Sequence, residues 1–327
     1  MAASAPEAGD PQSRVLEWKE VNSSITIVKA TFWLGFRQSE GLTTVGIAKR
    51  LFSMVEANPD ALTAGSTPEL LQEETEGLQA LQTAVKAFES GEGPEPAMEL
   101  DTTMTLVTHE GKVAVISPAA PGAEVFKRIE EMGEVVALVA PNVQHWLFLQ
   151  AYAARFPEAR VYLSEAALEE DLADKMPDLK SFERLQDGSG QVLPCLEQVY
   201  LQGAVQAMHE VLFLHKPSNT LVCSDAFYPG YPDGEEHPWA PQWFARLWFK
   251  LTKAPAGYKD PVLPIYRTAR VASAGSPAAL LDSLNWIDTH WTFTSIISAH
   301  GFTPYTADAQ AAFRTAWVEG CALDSSK

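Results

Sequence analysis

The chain has 327 residues, 46% of them hydrophobic, and a formal net charge of -18 from 24 basic and 42 acidic side chains. That apolar content supports a sizeable core and excludes a disordered chain, while the length fits one large domain or two ordinary ones. The negative charge repels phosphate backbones and anionic lipid, so nucleic acid is not an expected partner and membrane contact is disfavoured.

Cys195, Cys223 and Cys321 are widely spaced and form no CxxC pair. This suits a reducing compartment and supplies neither a disulfide framework nor a thiolate zinc site. Cys223, inside an apolar run, reads as a small core residue. The opening MAASAPEAGDPQ lacks the basic start of a secretory signal and the arginines of a transit peptide. No apolar run reaches the roughly 20 residues of a spanning helix. The expectation is a soluble cytoplasmic or nuclear protein, with a flexible tail over residues 1–14 and a single domain over 15–322. Asn22-Ser23-Ser24 matches a glycosylation acceptor, though in the wrong compartment for one.

Along the chain, VLEWKEVNSSITIVKATFWL carries two strand-like runs rich in Val, Ile and Thr. From about residue 37 to 100 the texture turns helical, as an insertion would. Its second helix is signed by a capping box at Ser66 and Glu69, with Pro68 in the first turn and Leu71, Leu78, Leu81, Val85 and Phe88 on one face. Such an insertion is a packing surface or a site of self-association or protein docking. TTMTLVTHEGKVAVISP predicts a hairpin turning at His109-Glu110-Gly111. EVFKRIEEMG, EVVALVAPN, WLFLQAYAARF and ARVYL then alternate as helix, strand, helix and strand, which indicates a layered α/β architecture.

An acidic helix-and-loop stretch spans about 164–190, and strands return at QVYLQGA, HEVLFLH and NTLVCSD. The segment 227–257 is rich in aromatic residues, Pro and Gly. Within it Trp243, Leu247 and Leu251 share one helical face and Arg246 and Lys250 another, a pattern shared by surface-membrane helices and ordinary packed ones. PAALLDSLNWIDTHW predicts a helix, FTSIISAHG a strand, and an Ala-rich helix closes the chain.

His145, Asp225 and His300 each lie just past a stretch that reads as a buried strand. Side chains there point into the ligand crevice of α/β folds. Two imidazoles and one carboxylate can hold a divalent ion and leave a position open. An unpaired carboxylate after the apolar run TLVCS would be costly to bury, and a metal, an Arg or a helix N-terminus would each satisfy it. His109, His209, His215, His237 and His290 read as ordinary core or surface histidines. The chain lacks G-x-S-x-G, G-x-x-x-x-G-K-[ST] and G-x-G-x-x-G, so no serine-hydrolase elbow and no nucleotide cofactor is expected.

The phrases GKVAVISP, LVAPNVQHWLFLQAYAARFPEARVY, EVLFLHKPSNTLVCSDAFY and WTFTSIISAHG, in that order, resemble the metallo-β-lactamase superfamily and, within it, the domain of unknown function 4336 family. The resemblance covers most of the chain outside the tail and the insertion. It implies an αββα sandwich with a metal or substrate site on one edge. Set on the superfamily's His-x-His-x-Asp-His motif, Ala140, Asn142, Gln144 and His145 occupy the four ligand positions. The next metal histidine falls near Gln206, with His209 close by; Asp225 matches the bridging aspartate and His300 the final histidine.

One metal site is therefore largely lost, while His145, Asp225 and His300 remain as ligands for one ion, zinc ahead of iron, or for none. Neutral amides are weak ligands for such ions, and Asn142 and Gln144 are instead candidates for orienting substrate through amide hydrogen bonds. The resemblance implies a metal-dependent hydrolase with a degenerate mononuclear site acting on a small ester or lactone. Two alternatives stand beside it: a catalytically inactive fold used for binding or assembly, and a mononuclear iron oxidoreductase, since the same ligands suit Fe(II).

Overall fold

The computed structural model describes residues 13–34, 44–57, 59, 67–94, 98–164, 176, 179, 181–204, 210–229, 243, 244, 247 and 276–320. The sequence expectations for most of the tail, for Gln206, His209 and His237, for most of the acidic stretch after 164 and for most of the aromatic segment fall outside these residues, while Ser13 and Arg14 at the end of the expected tail open the first strand.

The first sheet has seven strands in the order β1 (Ser13–Asn22), β2 (Ile25–Leu34), β3 (Met98–His109), β4 (Lys112–Ile116), β5 (Glu134–Ala140), β6 (Arg160–Leu163) and β7 (Glu183–Arg184). β1 to β4 pair antiparallel and β4 to β7 parallel. The first two parallel steps, β4 to β5 and β5 to β6, run through α3 (Ala123–Met132) and α4 (Leu149–Arg155), as parallel strands require a crossover. The second sheet has the order β12 (Ser295–Ile297), β11 (Thr220–Val222), β10 (Val211–His215), β9 (Leu196–Tyr200) and β8 (Gly188–Ser189). Its outer helices are α5 (Pro277–His290) and α6 (Ala309–Gly320).

Side chains alternate between the two faces of each strand, and this alternation builds the layers. Val28, Met104, Leu106, Val115 and Leu138 face outward onto Val125, Ile129 and Tyr152 of α3 and α4. Their neighbours Ile27, Val107, Ala114, Ile116 and Val139 face inward and meet Val211, Phe213, Val222 and Ile297 of the second sheet. Leu212, Leu214, Leu221 and Ile296 then pack outward on Leu284 and Ile287 of α5 and Phe313 and Trp317 of α6. The order is helix, sheet, sheet, helix, the expected αββα sandwich.

The hairpin turns where expected. Glu110 and Gly111 both take positive φ, 51° and 75°, as a two-residue turn matched to strand twist demands. Asn22 serves the first hairpin, its side-chain oxygen accepting from the amides of Ser24 and Ile25.

Between β2 and β3 the chain makes α1 (Thr44–Ala57) and α2 (Pro68–Glu89). The N-cap of α2 is Thr67 rather than Ser66: its hydroxyl accepts from the Leu70 amide and Pro68 takes the first helical position. Leu78 and Val85 are buried as the periodicity requires, but Phe88 is exposed because the packed face ends a turn earlier, and Glu74 takes a buried place on α2 instead. Leu51 of α1 and Leu78 of α2 form a separate apolar cluster with Trp243, Phe244 and Leu247. Trp243 and Leu247, read from sequence as one helical face, are thus covered by the chain itself.

Gly77 shows how close this packing is. A Cβ there would lie 2.3 Å from the Trp243 indole, so a helix-weakening glycine is retained to admit the ring. Gly77→Ala should therefore lower Tm despite its better helix propensity, by overpacking worth about 1–3 kcal/mol. Differential scanning calorimetry of the variant, alone and with Trp243→Ala, checks this: the second substitution should remove the penalty.

Candidate metal centre

Parallel pairing brings the relevant strand ends to one edge of the sandwich. Val222↔Ile297 aligns β11 with β12, and Ile116↔Val139 aligns β4 with β5. The two sheets are joined there by polar contacts. The Ser117 and Ser224 hydroxyls lie 2.6 Å apart, and the Val211 amide donates to the Pro141 carbonyl at 2.9 Å. Ser117 holds φ at 54°, a left-handed conformation unusual outside glycine.

His145, Asp225 and His300 converge, with one donor atom from each lying within 4.8 Å of the others. His145 Nε2 is 3.2 Å from Asp225 Oδ2, and His300 Nε2 is 3.3 Å from Asp225 Oδ1. The Asp225 carboxylate is 2% exposed and the two imidazoles 10% and 11%. His145 sits in a turn, and the helix expected from Trp146 begins only at Leu149. Asn142 makes that turn, its Oδ1 accepting from the amides of Gln144 and His145 at 2.9 and 3.0 Å.

The other half of Asn142 was not foreseen from sequence. Its Nδ2 donates to Asp225 Oδ2 at 2.8 Å and to Glu210 Oε2 at 3.1 Å. Asn142 is fully buried, and both its oxygen and its nitrogen are engaged inside the protein, so the expected role of orienting substrate gives way to an internal one. Gln144 is half-buried beside it, and Ala140 is a core residue at the end of β5.

Sequence reasoning missed Glu210 and Asp101. Glu210, fully buried, accepts from the amide of Ser224 on one oxygen and from those of Asp225 and Ala226, at 2.8 and 3.0 Å, on the other. The signal was present: a lone acid at the mouth of the apolar run VLFLH poses the same burial cost that singled out Asp225. Asp101 has no such signal, because it acts partly through its backbone. Its carbonyl accepts from His300 Nδ1 at 2.7 Å and its carboxylate from the Gly301 amide at 3.1 Å.

The Asp101 bond fixes the state of His300. With the Nδ1 proton donated to a carbonyl, Nε2 faces the Asp225 carboxylate, and a lone pair there is repelled unless a proton or a cation intervenes. Burial opposes a charged His300, but the adjacent Asp225 carboxylate overrides it and raises the imidazole to about 9. Burial likewise opposes ionised Asp225, yet His145 and His300 hold its carboxyl well below the usual range. Glu210 is pushed up to about 8 by burial and then by the charge on Asp225, against its N–H donors.

The donor set also fits a metal ion. Bonds of about 2.0–2.1 Å place tetrahedral ligand atoms about 3.3–3.4 Å apart. Each imidazole lies near that distance from one Asp225 oxygen, His145 at 3.2 Å from Oδ2 and His300 at 3.3 Å from Oδ1, farther than the roughly 2.7–2.9 Å of a charge-assisted hydrogen bond. A carbonyl on the far nitrogen of a ligating histidine is the usual orienting contact, and His300 has it. The set is two imidazoles and a carboxylate, without sulfur.

Solved metallo-β-lactamases are similar to this chain. DIM-1 metallo-β-lactamase exposed to ceftazidime shares 9% identity at a TM-score of 0.48, with 96% of each chain covered. The enzyme from Erythrobacter litoralis shares 10% identity at 0.48, covering 94% of this chain and all (100%) of its own. The enzyme from Pontibacter korlensis shares 10% at 0.47, covering 95% and 98%. No family model and no curated protein matches the sequence.

In metal-free protein the site should make stability fall with rising pH. His300 titrates near 6.5 when unfolded and about 9 when folded, so its contribution is complete below 6.5 and is lost as pH rises through 9. Glu210, raised to about 8, acts in the same direction. Urea unfolding after chelator treatment should give a lower midpoint at pH 9 than at pH 6, and His300→Gln should flatten the difference.

Proposed function

We propose that this chain is a metal-dependent hydrolase that holds one divalent ion through His145, Asp225 and His300 and acts on a small ester or lactone. The observation that carries the reading is that one donor atom from each of the three side chains lies within 4.8 Å of the others, around a nearly closed point. An ion held there supplies Lewis acidity toward water and a carbonyl oxygen. The protein's own contribution is to orient the ligands: Asp101 fixes the His300 tautomer, Asn142 fixes the His145 turn, and the low exposure of the rings keeps bulk water away.

A single ion is favoured by Asn142. Two-metal hydrolysis needs carboxylates and imidazoles around a second ion, but here an amide NH2 lies between the Asp225 and Glu210 carboxylates. The expected substrate is a small molecule, and the charge of -18 disfavours nucleic acid. No helix among the described residues is long and apolar enough to cross a membrane.

Metal analysis of protein purified without chelator tests the reading directly. About one equivalent of zinc is expected, with Asp225→Ala and His145→Ala each losing most of it. Less than a tenth of an equivalent after supplementation sinks the metal site, and two equivalents sink the mononuclear form. Iron accompanied by oxygen consumption assigns the site to redox chemistry instead. On a panel of esters and lactones, Asp225→Ala should reduce kcat/KM at least 100-fold, as loss of a ligand or its support does.

A further inference from the structure

Glu210 is a fully buried carboxylate that offers no atom to the three-donor cluster. It instead gathers three successive backbone amides, those of Ser224, Asp225 and Ala226. Such a run of N–H groups forms a concave seat for acceptor oxygens, and here the Glu210 carboxyl fills it. The same carboxylate accepts from Asn142 Nδ2, whose other hydrogen goes to Asp225 Oδ2 and whose oxygen holds the amides of Gln144 and His145. One chain of hydrogen bonds thus runs from Glu210 to the backbone of Asp225, to its carboxylate and to the backbone of His145.

We propose that Glu210 is a positioning residue that sets Asp225 directly, and His145 through Asn142, at the spacing that holds the ion. This role rests on the metal reading above. It explains why a buried acid at the mouth of β10 is met by N–H groups, with no cation beside it among the described residues. It also explains why a neutral analogue should not serve. Each oxygen of Glu210 accepts at least one N–H: Oε1 from Ser224, Oε2 from Asp225, Ala226 and Asn142. Glutamine has the same shape, but whichever way its amide turns, an NH2 group meets an N–H donor. At least one link must break, and the loop carrying Asp225 must shift.

Cobalt(II) titration of the full chain against a competing chelator tests the role, with circular dichroism to report folding and the ligand-field spectrum to report geometry. Glu210→Gln should fold, bind cobalt about 10–100-fold more weakly and show an altered spectrum. A purely structural Glu210 would lower Tm but leave the affinity of the folded protein and its spectrum unchanged. Affinity within twofold of wild type, with an unaltered spectrum, therefore overturns the role. Should Glu210→Gln fail to fold, Asn142→Ala decides by the same titration, because it removes the bridge to Asp225 and leaves Glu210 on its three backbone amides; unchanged affinity there overturns the role as well. Wild-type protein that binds no cobalt overturns the metal reading itself, and this role with it. The wild-type titration tells the two failures apart.

Discussion

A carboxyl group is costly to bury unless its oxygens are satisfied, and this chain buries two side by side, Glu210 and Asp225, at one edge of its sandwich. The polar arrangement of that edge follows from the need to satisfy them. Three backbone amides turn toward Glu210, two imidazoles flank Asp225, and the Asn142 amide donates to both acids. The groups come from different strands, so satisfying the acids also ties the two sheets together. The apolar layer between the sheets supplies the bulk of the attraction and is non-directional. The polar edge supplies the geometry.

That division of labour accounts for how the site is built. Strand pairing brings β4, β5, β11 and β12 to a common end within about one residue, since register is set by which side chains face inward. The remaining precision comes from short loops whose backbone amides are held by side chains. Ser117 accepts a left-handed backbone so that its hydroxyl reaches Ser224. Gly301 takes φ of 88° and gives its amide to Asp101, which turns the chain directly after His300. Glycine adopts that φ without steric cost; the strain at Ser117 persists because surrounding contacts over-determine it.

The helical segment between β2 and β3 obeys a different logic. Its apolar face is closed by Trp243, Phe244 and Leu247 from a distant part of the chain, so it forms a second, smaller core beside the sandwich. Gly77 marks the contact, and the fit of a ring onto a bare helix backbone explains a glycine that propensity alone disfavours.

The local patterns of the chain determined a great deal. Alternating and helical periodicity placed the hairpin of β3 and β4, the helices α3, α5 and α6, and the layered α/β architecture, because those signals depend only on which face of an element is buried. The burial cost of a lone acid pointed to Asp225, and placement after strands pointed to His145 and His300. The same patterns misplaced the α2 cap by one residue and buried Phe88, since caps and helix ends depend on neighbours that the local sequence does not name. The same burial cost also marked Glu210 in the sequence, but its partners, the part played by Asp101 and the internal role of Asn142 were decided by tertiary structure. The Glu210–Asn142, Asp101–His300 and Asn142–Asp225 bonds span 68, 199 and 83 residues, and a hydrogen bond between groups so distant leaves no period or spacing in the sequence from which it can be read.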